Sequence, residues 1–140
     1  MKHDMRNLMN LAVESQKGAY APYSGRRVGA ALLVASGEVF TGANVENSSY
    51  GLSMCAERVA AAKAIGDGKR QWVAMAVAVQ GHVNAPPCGA CLQFLAEFAG
   101  EDLILVWGKG SGPFKTARLR DLLPHPFRNG SAESLPEDSP

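Results

Sequence analysis

The sequence predicts an α/β protein in which helices flank a mixed sheet of about five strands. Two apolar runs of strand length, residues 28–35 and 72–80, are almost continuous, as expected for strands that are buried on both faces. Segments with helical spacing alternate with such runs, and the predicted order is α-β-β-α-β-α-β followed by an edge strand. At 140 residues the chain can bury a substantial core within one domain.

The first part of the chain predicts a helix and then a hairpin. Residues 4–17 carry apolar residues at helical spacing, which we interpret as a packing face. Residues 20–25 contain Pro and Gly and predict a loop. The turn at Ser36-Gly37 joins the strand 28–35 to a second strand at 38–42, so these two strands are expected to pair.

The rest of the chain predicts two helices and three further strands. Residues 44–51 form a polar loop, and Ser53 is the expected N-cap of a helix over 54–65 that closes at Gly66. The later elements are a central strand at 72–80, a break at Pro86-Pro87, a helix at 88–98, a strand at 103–107, an edge strand at 114–119 and a helical turn at 119–123. We expect one domain over 1–127 and a polar, flexible tail over 128–140.

Composition excludes several classes of function. Apolar residues make up 46% of the chain, charged residues 19%, and the net charge is +1, so a large electrostatic surface for nucleic acid is not expected. No apolar run approaches the ~20 residues that span a membrane. Nothing at the N-terminus resembles an export signal, which together with few cysteines favours a cytoplasmic protein.

All three cysteines fall into one pattern, Cys55-Ala-Glu-Arg58 and then Pro87-Cys88-Gly-Ala-Cys91. Disulfides are disfavoured because the number is odd, and unrelated buried thiols do not explain the Cys-x-x-Cys spacing after two prolines. Three thiolates suit a catalytic zinc site, which keeps a fourth position open for water. A closed structural site is the alternative, but its candidate fourth ligands show no ligand spacing; they are His3, His82 and His125.

Glu57 and Arg58 follow the first cysteine directly and are candidates for acid–base chemistry and for charge compensation. The predicted helices place all three cysteines at helix N-termini, where the helix dipole favours thiolates. Glu57 is then placed to move protons at a metal-bound water, and Arg58 can donate hydrogen bonds to thiolates. The alternatives are a solvated acid in a first helical turn and a surface arginine.

The cysteine pattern stands within a series of further short motifs. In chain order the segments are Tyr20-Ala-Pro-Tyr-Ser24, Val28-Gly-Ala-Ala-Leu32, Thr41-Gly42, Asn44-Val-Glu-Asn47, Ser49-Tyr-Gly-Leu52, Cys55-Ala-Glu-Arg58, Pro87-Cys-Gly-Ala-Cys91 with Gln93, Leu122-Leu-Pro124 and Phe127. Together these segments resemble, in the same order, the cytidine deaminase family in its small three-cysteine form, and the resemblance covers roughly residues 5–127.

The resemblance implies a three-layer α/β/α sandwich, Zn²⁺ at the three cysteines and Glu57 as proton shuttle. It implies that Asn44 and Glu46 bind the ribose hydroxyls and that the backbone near Ala56 reads the pyrimidine edge; loop capping is the alternative for the first two. The family's small members are homotetramers, and Tyr50 and Phe127 match positions that serve a neighbouring subunit's site, although core or interface packing would also account for them.

Two positions depart from the family pattern. Arg26 stands where the family usually has an aromatic residue that packs on the pyrimidine, and Leu92 stands where an arginine usually follows the last cysteine. Arg26 can stack on a base or meet an acidic or bulky substituent, or it can be a solvated loop residue. With Leu92 in place of arginine, charge compensation would depend more on Arg58.

Three hypotheses follow. The first is hydrolytic deamination of a free cytidine or deoxycytidine-like nucleoside, which implies a role in pyrimidine salvage. The second keeps the reaction but takes a modified aminopyrimidine nucleoside, of the blasticidin S kind or an N4-substituted cytidine. The third is a non-catalytic zinc-binding module. A nucleic-acid editor is least favoured, because the chain has no basic surplus.

Overall fold

The protein forms one five-stranded sheet with helices on both faces, in a computed structural model that describes residues 4–81 and 84–129. The elements are α1 (Met5–Ser15), β1 (Val28–Val34), β2 (Val39–Ala43), α2 (Ala56–Gly66), β3 (Trp72–Val79), α3 (Gly89–Phe98), β4 (Ile104–Gly108), β5 (Lys115–Arg118) and α4 (Leu119–Leu122). None of the helices in the described part of the chain is long and apolar enough to cross a membrane.

The sheet is mixed, with strand order β2-β1-β3-β4-β5. β1 pairs antiparallel with both β2 and β3, so the predicted hairpin is confirmed. β3 and β4 are parallel, and the connection between them carries α3. β5 pairs antiparallel with β4 and closes one edge of the sheet, as predicted for the last strand. The two central strands, β1 and β3, are the most apolar segments of the chain.

The alternating side chains of the strands separate two apolar clusters, one on each face of the sheet. Leu8, Met9 and Ala12 of α1 pack on one face, against small residues such as Ala31 and Ala76. On the other face α2 and α3 cover larger residues of the sheet, including Leu32, Met75 and Leu105. Each face thus has its own helical layer, which confirms the three-layer α/β/α sandwich.

Two glycines let helices lie directly on the sheet. A Cβ at Gly29 would come within 1.9 Å of the carbonyl oxygen of Ala12 in α1. A Cβ at Gly42 would come within 2.5 Å of the backbone nitrogen of Ala60 in α2. Since α2 begins beside the first cysteine, the close contact at Gly42 fixes how far that cysteine stands from the sheet.

The start of α2 differs from the sequence prediction. The expected N-cap was Ser53, but the helix begins at Ala56 and Cys55 is the residue that caps it. Met54 forms an isolated antiparallel bridge with Val45, so its backbone is extended and cannot belong to the helix. The Ser53 hydroxyl instead accepts a hydrogen bond from the backbone of Asn47 at 3.0 Å.

At the other boundaries the structure differs by small shifts. α1 ends at Ser15 and continues as a short 3-10 turn over Gln16–Gly18, which accounts for the longer helix expected at 4–17. Of the expected tail 128–140, Arg128 donates to the carbonyl oxygen of Ala96 at 2.9 Å and so touches α3. Residues 130–140 of that tail lie outside the described residues.

Candidate metal centre and adjoining pocket

The three cysteines meet at one point, where α2 and α3 begin. Cys55 caps α2, Cys88 caps α3, and Cys91 lies in the first turn of α3. Their three Sγ atoms all lie within 4.8 Å of one another. A tetrahedral zinc with Zn–S bonds of ~2.3 Å requires sulfur atoms roughly 3.8 Å apart, so the cluster fits a single Zn²⁺ ion. The predicted convergence of two helix N-termini is confirmed.

No fourth protein ligand joins this cluster among residues 4–81 and 84–129. The group of residues able to hold a metal contains the three cysteines alone, and His125 is not part of it. The other two histidines, His3 and His82, lie outside the described residues. A donor set of three thiols leaves one tetrahedral position for a non-protein ligand, as a catalytic zinc site requires.

Without a metal, the pKa values of Cys55 and Cys91 shift in opposite directions. A hydrogen bond from Cys91 lowers the pKa of Cys55 to about 5, and Arg58 adds to this effect. The same bond, together with burial, raises the pKa of Cys91. Of these two thiols, Cys55 carries the negative charge at neutral pH, and binding of zinc would have to displace the proton of Cys91.

Glu57 is buried beside the cluster, with 4% of its surface exposed. Burial raises the pKa of Glu57 to about 7, and the negative charge of Cys55 adds to the shift. The alternative of a solvated surface acid is therefore wrong. A carboxyl group that titrates near neutral pH can both accept and donate a proton, which is what a proton shuttle needs.

Arg58 turns back towards Cys55. Its Nη2 donates to the carbonyl oxygen of Ser53 at 3.1 Å and lies 3.8 Å from Sγ of Cys55. Its Nε is buried without a partner among the described residues. The bond to Cys55 raises the pKa of Arg58, so the guanidinium stays charged next to the sulfurs. It is not a freely solvated surface arginine.

A cavity of about 390 Å³ opens beside the cysteines. This is the size of a small-molecule site. Its lining is mostly apolar, and its polar part, which we call the rim, comes from Ser24, Arg26, Asn44, Glu46 and Ser53. The lining residues are Ser24, Arg26, Val28, Asn44, Glu46, Ser53, Met54, Cys55, Ala56, Glu57, Val77, Val79, Ala85, Pro86 and Cys88. The cavity joins the metal centre to most of the predicted substrate-binding residues.

Asn44 and Glu46 line this cavity and also cap the loop at its rim. The Asn44 amide donates to the carbonyl of Arg26 and accepts from the backbone of Val28, both at 2.9 Å. The Glu46 carboxylate accepts from the backbone of Tyr23 at 3.0 Å and of Ser24 at 3.1 Å, and from the Ser24 hydroxyl. These bonds lower the pKa of Glu46, the Ser24 hydroxyl most.

The loop capping leaves ligand-binding capacity on both residues. An amide nitrogen has two hydrogens and a carboxylate has about four acceptor positions, so each side chain can also bind a hydroxyl. Ser24 is a rim residue that the sequence did not single out as a site residue. Its signal was the Tyr-Ser-Gly turn, because a turn serine often bonds to nearby polar groups.

Arg26 is the one cation that lines the cavity among the residues described, and its side chain is exposed. The backbone of Arg26 is fixed by the Ser24 hydroxyl at 3.0 Å and by Asn44. Its neighbour Arg27 points elsewhere and donates to the carbonyl oxygens of Gln16 and Lys17, in the 3-10 turn after α1. Ala56 is fully buried at the first turn of α2 and lines the cavity.

Tyr50 and Phe127 lie outside the cavity, each 75% exposed. The ring of Tyr50 meets that of Tyr23 edge to face, with centroids 6.1 Å apart. Neither ring belongs to the core, so core packing within the chain does not explain them. Leu92 of α3, in contrast, is 5% exposed and packs in the core between that helix and the sheet.

The chain is similar to known proteins along most of its length. Residues 2–107 match the family described as the cytidine and deoxycytidylate deaminase zinc-binding region. A cytidine deaminase of Halalkalibacterium halodurans is 44% identical over 124 residues, covering 89% of this chain and 94% of that protein. One from Mycobacterium tuberculosis is 42% identical over 125 residues, covering 89% and 90%. The crystal structure of cytidine deaminase from Burkholderia pseudomallei superposes with a TM-score of 0.84, at 42% identity, over 91% of this chain and 100% of that one.

Proposed function

The chain belongs to the cytidine and deoxycytidylate deaminase family, and from this premise we propose how its residues carry out the hydrolytic deamination of cytidine. The protein is a zinc-dependent enzyme that converts a cytidine-like nucleoside and water to the uridine form and ammonia. One observation carries the proposal: three thiols within 4.8 Å of one another, with a buried carboxyl group beside them, open into a nucleoside-sized cavity.

Cys55, Cys88 and Cys91 would hold the metal. When bound there, Zn²⁺ would supply the Lewis acidity that activates water towards the amine-bearing ring carbon of cytosine. Cys55 and Cys88 cap two helix N-termini, whose dipoles favour thiolates, and Arg58 withdraws negative charge from Cys55. This compensation matters because three thiolates outweigh the charge of Zn²⁺.

Glu57 moves the protons. Its carboxylate takes a proton from the attacking water and delivers it to the ring nitrogen next to the reacting carbon; a second transfer protonates the leaving amine, which departs as ammonia. Burial raises the pKa of Glu57 to about 7, which matches these two opposite tasks at neutral pH. Because the carboxyl group is almost wholly screened from solvent, the transferred proton is not lost to bulk water.

The cavity orients the nucleoside. We infer that Asn44 and Glu46 bind the ribose hydroxyls through the hydrogen-bonding capacity that loop capping leaves free. The backbone N–H groups around Ala56, at the start of α2, face the pyrimidine edge. Arg26 lies over the rim and contacts the substrate or its substituents.

We further propose a homotetramer with shared sites, acting in pyrimidine salvage in the cytoplasm. Two exposed aromatic rings support an interface between copies: Tyr50 and Phe127 are each 75% exposed, and neither packs in the core of its own chain. Nucleic acid is not an expected substrate, since the net charge is +1. Residues 1–127 form the folding unit in this proposal.

No observation favours a modified nucleoside over cytidine. That alternative depends on Arg26 and Leu92 alone, and Leu92 is a core residue. Whether Arg26 selects among substrates is a separate prediction. The non-catalytic zinc module does not fit an enzyme family and is not retained.

An ultraviolet absorbance assay on the purified zinc-loaded protein tests the function. We expect turnover of cytidine and deoxycytidine with stoichiometric release of ammonia. The Glu57→Gln variant should retain zinc and lose turnover by about three orders of magnitude or more, the range typical of acid–base groups. Zinc-loaded wild type without turnover of either nucleoside would overturn the proposal.

A further inference from the structure

Gln93 of α3 holds the backbone of Phe127 at two points. Its Nε2 donates to the carbonyl oxygen of Phe127 at 2.8 Å, and its Oε1 accepts from the backbone nitrogen of Phe127 at 3.0 Å. A side-chain amide that pairs with both polar groups of one residue reproduces the exchange made by paired residues of adjacent antiparallel strands. This bidentate contact fixes the orientation of residue 127 as well as its place.

The residues on either side of Phe127 are also restrained. The guanidinium of Arg128 donates to the carbonyl oxygen of Ala96 at 2.9 Å, in the last turn of α3 where carbonyls lack helical partners. Before Phe127, Pro124 and Pro126 restrict the backbone, and Leu123 packs against the core. The segment is therefore fastened along α3 from both sides.

These contacts do not bury the phenyl ring. Phe127 is 75% exposed and belongs to neither apolar cluster. Aromatic side chains usually stabilise a fold through burial of a large surface, and ordering a terminal segment costs conformational entropy. Here the chain restrains the backbone and leaves the ring in solvent, so the arrangement gains little for a single copy. It is suited to presenting the ring to something else.

We propose that Gln93 is a positioning residue that holds Phe127 so that its ring forms a fixed wall of the nucleoside pocket in a second copy of the chain. The inference rests on the proposed function, in which Phe127 serves a neighbouring site. Gln93 itself touches no substrate. Gln93 lies two residues after Cys91 in α3. The position of the Phe127 ring is therefore fixed relative to the helix that carries two of the metal ligands in the same copy.

Cytidine binding in the Glu57→Gln background tests the inference without turnover. Isothermal calorimetry would compare that protein with versions that also carry Gln93→Ala, Phe127→Ala or both. We expect Gln93→Ala to weaken cytidine binding about tenfold, since removing or misplacing an aromatic ring that stacks on a base has this order of effect. The double substitution should be no weaker than Phe127→Ala, because Gln93 acts through that ring. Glu97→Ala, an exposed position on the same helix, is the matched control.

Kinetics of the variants with Glu57 intact separate positioning from a structural role. We expect Gln93→Ala to raise KM about tenfold and leave kcat within about twofold, with unchanged zinc content. Gln93→Glu keeps the bond from the Phe127 nitrogen but cannot donate to its carbonyl, so its KM should be intermediate. A lowered kcat with lost zinc and unchanged KM would overturn the inference, as would additive effects of Gln93→Ala and Phe127→Ala.

Mixed oligomers identify the copy that supplies the ring. The experiment co-assembles a Glu57→Gln chain, which keeps Gln93, with a Gln93→Ala chain, which keeps Glu57. Only the second chain can turn over substrate. We expect its sites to show the wild-type KM where the neighbouring Glu57→Gln chain supplies a correctly held Phe127 ring. Only the raised KM in these assemblies would overturn the inference. If the Glu57→Gln protein binds cytidine but the wild type does not deaminate it, the proposed reaction fails while the calorimetry still decides the role of Gln93.

Discussion

Arg58 Nη2 lies 3.8 Å from Sγ of Cys55, and the same nitrogen donates to the carbonyl oxygen of Ser53 at 3.1 Å. The guanidinium therefore ties the thiolate to the extended segment that precedes α2. Because Leu92 packs in the core and carries no charge, Arg58 is the cation in direct contact with the sulfurs among the described residues.

Replacing Arg58 should make zinc binding more sensitive to acid. The Arg58 charge and its hydrogen bond help to lower the pKa of Cys55, so Arg58→Gln raises that pKa and lets protons compete with zinc at higher pH. We expect the midpoint of zinc retention to move up by roughly one pH unit. Zinc content after dialysis across pH 4–8 measures it. Arg118→Gln, whose guanidinium pairs with Asp102, is the control, and equal midpoints would contradict the prediction.

Glu57 should destabilise the metal-free fold as the pH rises. Its folded pKa is about 7 against an ordinary 4.5, so the proton-linked stability is fully present below about 4.5 and is lost as the pH rises through about 7. With zinc chelated, we expect the free energy of unfolding of the wild type to fall by up to about 3 kcal/mol relative to that of Glu57→Gln as the pH rises through this window. Urea unfolding at several pH values measures the difference. Parallel pH profiles for the two proteins would refute the prediction; Glu97→Gln should follow wild type.

Glu46→Gln should weaken substrate binding with little effect on chemistry. We expect KM for cytidine to rise roughly tenfold, as for a hydrogen bond to a charged group, with kcat and zinc content nearly unchanged. Ribose contact is separated from loop capping by 2′,3′-dideoxycytidine. Glu46→Gln should lose most of the preference for cytidine over this analogue, whereas Ser24→Ala, which loosens the same loop, should keep it. The same loss in both variants would mean that Glu46 only holds the loop.

Arg26→Phe should change which nucleosides the enzyme prefers. Arg26 lines the cavity, so its removal should lower kcat/KM for an analogue with a carboxylate substituent relative to cytidine by about tenfold, the value of one charge-assisted contact. The adjacent Arg27→Phe is the control, because Arg27 faces the end of the first helical segment. A ranking that is the same in all three proteins, over a panel that includes N4-methylcytidine, would show that Arg26 takes no part in selection.

Gly42→Ala should damage both the fold and the metal centre. The added Cβ would lie 2.5 Å from the backbone nitrogen of Ala60, so α2 must move away from the sheet, at a cost of about 3 kcal/mol or more. Thermal unfolding and zinc content measure the effect. The control is Gly66→Ala in α2, where a Cβ would enter open space, and this variant should keep the wild-type thermal stability and zinc content. An unaffected Gly42→Ala protein would show that α2 can shift without strain.

The sequence predicted the sheet and the metal ligands well because both are local signals. Apolar runs at 28–35 and 72–80 identify buried strands whatever their partners, and the cysteine spacing needs no tertiary information. Glu57 could be assigned a role from its place after Cys55. Its burial could not be predicted, because a first-turn acid is usually solvated and only the packing of α2 against the sheet removes it from water.

The rest depended on contacts distant in sequence. Met54 follows an expected N-cap, yet its pairing with Val45 keeps it extended and delays α2 to Ala56. The two hydrogen bonds between Gln93 and the backbone of Phe127 likewise join residues 34 positions apart. A single glutamine in an amphipathic helix gives no sign of such a partner. Loop capping by Glu46 is the alternative to ribose binding that the sequence allows, and the structure shows the capping bonds directly.

The placement of the ligands at two helix starts has a consequence for folding. Cys55 and Cys88 lie on either side of α2 and β3, so an ion held by both closes a long loop of the chain and reduces the freedom of the unfolded state if it remains bound there. The metal then cross-links the starts of α2 and α3 in addition to its part in catalysis. Chelation should therefore lower the free energy of unfolding along with activity.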